Sequence, residues 1–216
     1  MDFAAARRNM VATQIKTSAV TDPLVVAALE AVPRETFLPP HLQTFAYIDE
    51  DLAVGKGRYV MEPAVLARLL QLADVQPEDR ALVVAAGTGY SAAVLARMAR
   101  TVVAVDADPA LLTHARQACA AVGAAAVTVV NGDPRNGCPE HGPFDVILVD
   151  GAVAEIPPVL ESRLRDGGRL VAVVRRAGIG RATLVVRAGD AFGRREGFDA
   201  MTPMLPEFTP APRFVF

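Results

Sequence analysis

Five short apolar runs constrain this chain more than any other feature. They occupy residues 81–85, 101–105, 127–130, 144–149 and 170–174. Four of them run into glycine or a carboxylate, at Gly87-Thr88-Gly89, Asp106, Gly132-Asp133 and Asp150. The fifth is entered through Asp166-Gly167-Gly168. The runs are continuous rather than alternating, so each reads as a strand covered on both faces. A helical segment running to Ala99 and another over 109–122 separate the first three. Short strands alternating with helices imply βαβ units, and the expected class is α/β with a mostly parallel sheet. Two later β-like stretches, 182–187 and 197–201, have no helix-length insert between them. They are expected to pair antiparallel at an edge.

The residues before this region follow a different grammar. Phe3, Met10, Val11 and Ile15 sit at helical spacing, and Thr21-Asp22-Pro23 supplies a cap and a first-turn proline for a helix running to Val32. Pro33, Pro39 and Pro40 stop helix formation around Phe37, an expected core anchor. Residues 47–59 read as a loop rich in charge and glycine. Pro63 then opens a helix over 64–72 with an apolar stripe at Val65, Leu66, Leu69 and Leu70. One domain is expected over 1–216, divided into an N-terminal helical extension, 1–75, and an α/β core, 76–216.

Composition narrows the function classes. With 52% hydrophobic residues, a chain of 216 can bury a full core and is not intrinsically disordered. A formal net charge of −2 removes the electrostatic drive toward phosphate backbones, so no nucleic-acid partner is expected. Cys119 and Cys138 make neither a disulfide framework nor a zinc quartet, and His41, His114 and His141 are scattered, so no metal is expected. No apolar stretch reaches about 18 residues, and the N-terminus turns polar too early for a signal peptide. A cytoplasmic protein without a membrane span is expected. Oligomeric state leaves no mark in the sequence.

In open α/β sheets, ligands sit beyond the carboxyl ends of the strands, so the strand ends define the candidate site. The first turn, Ala85-Ala86-Gly87-Thr88-Gly89-Tyr90, departs from the dinucleotide fingerprint because Tyr90 fills the place of its third glycine. It suits a G-x-G-x-G loop with Ala85 in first position. Such a turn either cradles a nucleoside with a small polar tail or is simply tight. Asp106, about 20 residues further on, can accept hydrogen bonds from both ribose hydroxyls. Its neighbour Asp108 suits the cap of the next helix. Asp133 can accept from an adenine amino group or close an Asx turn at Gly132-Asp133-Pro134. Taken in this order, the three features point to an adenosine site.

Longer strings go further. Val32-Pro33-Arg34-Glu35-Thr36-Phe37 and Gly89-Tyr90-Ser91-Ala92-Ala93-Val94-Leu95-Ala96 are joined by Ala46-Tyr47-Ile48-Asp49, Pro143-Phe144-Asp145 and Gly167-Gly168-Arg169-Leu170-Val171. In these the chain resembles the protein-L-isoaspartate O-methyltransferases over most of its length. The resemblance implies a Rossmann-like methyltransferase fold using S-adenosyl-L-methionine. It implies a protein or peptide carboxylate as substrate, and methyl-esterification of isoaspartyl residues in damaged proteins, which is protein repair. It sets Ala85, Ala86, Gly87, Thr88, Gly89, Asp106, Ala107, Gly132, Asp133 and Asp150 around the cofactor. Arg58, Tyr59 and Met61 are set facing the reacting carboxylate.

The departures fall in the motifs nearest the chemistry. The family's Gly-Gln-Thr-Ile-Ser-x-Pro is here Gly57-Arg58-Tyr59-Val60-Met61-Glu62-Pro63. Its Glu-Ile-Gly-Thr-Gly-Ser-Gly is Val83-Val84-Ala85-Ala86-Gly87-Thr88-Gly89, and its Thr-Ala-Ala is Asp150-Gly151-Ala152. A carboxylate nucleophile is already ionised at neutral pH, so the site must position and dehydrate it rather than deprotonate it. Loss of the serine removes an orienting hydrogen bond that Tyr59 or Arg58 can supply, unless Arg58 is a plain surface charge. Ala85 is costly if its φ is positive and harmless if negative. Two other readings remain: a methyltransferase retargeted to another acceptor, and a catalytically silent relative that binds a nucleoside or a partner.

Overall fold

In a computed structural model describing residues 1–209, three of the helices begin at an aspartate side-chain cap. (Residues 210–216, the end of the expected domain, lie outside the described residues.) Helix α1 (Phe3–Met10) starts at Asp2, whose carboxylate accepts from the Ala5 N–H, and passes into a π turn, Val11–Ile15. Helix α2 (Pro23–Ala31) starts at Asp22, which accepts from the Leu24 N–H. Short 3-10 turns thread the prolines that follow and carry Phe37 into the core. Next comes a hairpin, β1 (Leu52–Gly55) with β2 (Arg58–Val60), where the sequence reads as loop. Strands this short carry too few residues for a periodic signal.

Helix α3 (Pro63–Ala73) leads into the main sheet: β3 (Arg80–Val84), α4 (Tyr90–Leu95), β4 (Thr101–Asp106), α5 (Pro109–Ala121), β5 (Val127–Asn131), β6 (Phe144–Val153), α6 (Pro158–Glu161), β7 (Leu164–Arg176), β8 (Ile179–Ala188) and β9 (Ala191–Asp199). The strand order is β5-β4-β3-β6-β7-β8-β9. The first five are parallel, and β8 and β9 add antiparallel at the edge. The outermost strand begins earlier than the expected 197–201. Its residues are almost all exposed, so no apolar pattern marks it.

Both faces of the sheet are covered. Ala81 and Val83 point into the layer holding Leu66, Phe37 and Tyr90, while Leu82 and Val84 point into the layer holding Leu160, Leu205 and Phe208. That is why the runs are continuous rather than alternating. From β3 the chain winds outward through β4 to β5, then returns to lay β6 on the other side of β3. The winding reverses there, opening a crevice at the carboxyl ends of β3, β4 and β6.

Phe37 joins the N-terminal extension to this core. It is fully buried and meets the Tyr90 ring edge-on, with centroids 5.6 Å apart. Phe37→Ala should cost about 3–5 kcal/mol in unfolding free energy by urea titration, with the m-value unchanged.

Candidate active site

The turn after β3 is built from backbone bonds. The Ala86 N–H donates to the Val105 carbonyl at 3.0 Å, and the Gly89 N–H donates to the Ala86 carbonyl at 2.8 Å. Gly89 has a φ of +90°, and a Cβ there would come within 3.1 Å of Ala115 in α5, so both conformation and packing call for glycine. Ala85 has a φ of +62°. Of its two alternatives the costly one is realised, at about 1–2 kcal/mol for an L-residue in this region. The Thr88 hydroxyl is buried and has no partner among the described residues.

Asp106, at the end of β4, is fully buried. Its Oδ2 accepts from the Gly87 N–H at 2.9 Å and from Arg58 Nε at 2.7 Å. Its Oδ1 accepts from the Asp108 N–H at 3.1 Å and from Arg58 Nη2 at 3.3 Å. Asp108 meanwhile caps α5 through the Ala110 N–H, as its position predicts.

Arg58 is thus neither turned toward the acceptor nor a surface charge. It stands at the start of β2, directly after the hairpin turn, and is only 3% exposed. A buried carboxylate attracts the guanidinium inward because neither charge is stable there alone. Two further N–H groups of Arg58 donate to Glu207, at 3.0 Å from Nη1 and 2.7 Å from Nη2. What is left beside Asp106 is a cleft of about 190 Å³ lined by Lys56, Arg58, Ala107, Asp108 and Glu207.

Along the same edge, the Gly132 N–H donates to the Asp106 carbonyl at 3.0 Å. Asp133 closes the Asx turn: its Oδ1 accepts from the Arg135 N–H at 2.9 Å, and its two oxygens also hold the Arg135 guanidinium.

Tyr59, Met61 and Asp150 come together elsewhere, around a cavity of about 10 Å³ shared with Asp51, Thr202 and Leu205. Asp150 Oδ1 has no hydrogen-bond partner among the described residues. Burial pushes its carboxyl up to about 7, against the pull of the Ser91 hydroxyl and of Arg34. Arg34 is completely buried, donates to the Val60 carbonyl at 3.2 Å and lies 5.0 Å from the Tyr90 ring centre. Its Nε and Nη1 have no partner among the described residues. Sequence reasoning gave Arg34, Asp51, Thr202 and Glu207 no role. A signal existed for Glu207, which carries the sole charge between Asp199 and Arg213. A cavity of about 590 Å³ between α6 and the β7–β9 edge contains none of the expected site residues.

The sequence profile of the family described as Protein-L-isoaspartate(D-aspartate) O-methyltransferase (PCMT) matches residues 5–196. A protein-L-isoaspartate O-methyltransferase of Methanoregula boonei is 44% identical over 168 residues, covering 78% of this chain and 77% of its own. The chain belongs to this family. Another relative of the same name, from Roseiflexus sp., is 37% identical over 205 residues, 95% of this chain and 90% of its own. Among solved structures, a protein-L-isoaspartate O-methyltransferase superposes with a TM-score of 0.81 at 25% identity, covering 92% of this chain and 65% of that one. A putative member from Plasmodium falciparum, in complex with S-adenosyl-L-homocysteine, superposes at 0.79 with 18% identity, covering 96% of this chain and 99% of that one. The shared fold is the α/β methyltransferase fold, here with its antiparallel edge and N-terminal helices. Among the described residues no cluster could hold a metal ion, and no helix is long and apolar enough to cross a membrane.

The frame fits the family's cofactor better than the space does. A carboxylate at the end of β4, a glycine turn beside it and the unpartnered Thr88 hydroxyl suit an adenosyl group. In this arrangement Arg58 fills the position facing Asp106, and a cleft of about 190 Å³ is smaller than a site for such a ligand, about 300–1,000 Å³.

Asp150 makes stability depend on pH. Its folded-state pKa lies above the unfolded value, so the folded chain keeps a proton that the unfolded chain has lost. Stability should therefore fall as pH rises from 3.8 to about 7 and level off above that window. Thermal melts across this range should show the slope in the unaltered chain and a flatter one in Asp150→Asn, which should be the more stable of the two above the window.

Proposed function

We propose that this chain is a carboxyl O-methyltransferase that uses S-adenosyl-L-methionine to esterify isoaspartyl residues of proteins, acting in cytoplasmic protein repair. It does so as one domain, with residues 1–75 on the substrate side and 76–216 on the cofactor side. One observation carries this reading: the family match runs from residue 5 to 196, through the acceptor-side extension as well as the α/β core. Kinship therefore extends beyond the cofactor-binding half.

The cofactor supplies a methyl group on a sulfonium when bound. Asp106, Gly87, Gly89 and Ala107 would hold its nucleoside, with Gly132 and Asp133 at the base end and Thr88 within reach of its polar tail. On the acceptor side, Met61 and Leu205 exclude water around the cavity lined by Tyr59 and Asp150. The family's serine hydroxyl is missing there. A protonated Asp150 can replace it, because a neutral carboxyl kept protonated by burial donates a hydrogen bond where a carboxylate could only repel the acceptor.

Methyl label from S-adenosyl-L-methionine should pass to an isoaspartyl peptide and not to its normal aspartyl twin. Equal labelling of the two peptides would sink the repair assignment. The rate should also decline as pH rises through about 7. Asp150→Asn, which keeps an N–H donor at every pH, should lose that decline while Asp150→Leu loses most of the activity.

A further inference from the structure

The bonds at the end of β4 are too complete for a site waiting on a ribose. An ionised carboxylate offers about four acceptor positions, and all of those on Asp106 are spent on Gly87, Asp108 and the two bonds from Arg58. Arg58 lies over the glycine turn as well: a Cβ on Gly87 would sit 3.6 Å from Arg58 Cβ. Glu207 locks it from outside, holding both terminal nitrogens.

Glu207 is itself held by a strap. The segment from Pro203 to Phe208 crosses the carboxyl edge of β6, where the Ala152 N–H donates to the Pro203 carbonyl and the Leu205 N–H donates to the Ala152 carbonyl, both at 2.9 Å. Leu205 is buried over Gly151, where any side chain would meet it at 2.7 Å. Pro206 packs onto the hairpin turn so closely that a Cβ on Gly57 would lie 2.4 Å from it. Leu205 also lines the acceptor cavity, while Glu207 lines the cleft beside Asp106. One segment therefore closes both halves of the site.

We infer that Arg58, clasped by Glu207 on this strap, is an internal plug that occupies the ribose place of the cofactor and must be displaced before the cofactor can bind. The inference rests on the cofactor reading above and adds a regulation to it. Opening would release Arg58 from Asp106, lift the strap from Gly57 and Gly151, and uncover the acceptor cavity at the same time. The closed form lowers apparent affinity by the fraction of molecules it holds.

The test is calorimetric titration of the full chain with S-adenosyl-L-homocysteine, with each protein's fold checked by circular dichroism. Arg58→Gln, which installs the residue found at this place in the family motif, should bind at least about tenfold more tightly than the unaltered chain. Glu207→Gln removes only the outer clasp from a partly exposed side chain, so it should fold even if Arg58→Gln does not. It should tighten binding by a smaller factor. Uptake by the variants with none by the unaltered chain supports the plug most directly. Equal or weaker binding by the variants overturns it and leaves the cofactor reading standing. No binding by any of the three proteins removes the cofactor reading, and the plug with it.

Discussion

A carboxylate buried at the end of a parallel strand has to be neutralised, and the way Asp106 is neutralised organises the whole carboxyl edge of this sheet. Its partners come from the glycine turn, from the start of α5 and from Arg58 in the hairpin. Arg58 in turn reaches Glu207, 149 positions further along the chain. Removing one member of such a buried group leaves a charge without compensation, at about 3–5 kcal/mol. The hairpin, the strand end and the strap therefore hold one another in place, and a ligand for Asp106 has to compete with all of them.

The neighbouring cavity, the proposed acceptor side, presents the opposite condition. Around Asp150 and Arg34 the polar groups outnumber their bonds: one carboxylate oxygen and two guanidinium nitrogens are buried without partners among the described residues. Buried polar atoms are ordinarily satisfied, so a cluster of this kind is costly unless its charges are offset in another way. Arg34 compensates in part through the Tyr90 ring, and Asp150 by holding its proton. A saturated strand end next to an unsatisfied cavity is what a closed resting form of the proposed two-substrate site would present. That small cavity, shared by Tyr59, Met61, Asp150 and the strap, is where such a form would have to widen.

Much of this was legible in residue order. The five apolar runs became five parallel strands because a strand covered on both faces needs no polar alternation, and Asp22, Asp108 and Pro63 began helices where their capping chemistry predicts. The hairpin and β9 escaped notice for physical reasons, the one too short for periodicity and the other too exposed for apolar marking. Asp133 could be read two ways. The fold realises the Asx turn, whose bonds are local and need no ligand.

By itself, the sequence determined the α/β class, the family, and the presence of a carboxylate after β4 and a glycine turn after β3. The class, the carboxylate and the turn follow from composition and spacing within a few neighbouring residues, and the family follows from the resemblance of the longer strings. Only the tertiary structure decided that Ala85 adopts a positive φ, that Arg58 turns toward Asp106 rather than the acceptor, and that Glu207 arrives to clasp it. A backbone dihedral at a tight junction is set by the strands and helix it must join. The direction of a long charged side chain is set by whichever opposite charge the fold buries beside it, and that partner can lie anywhere in the chain.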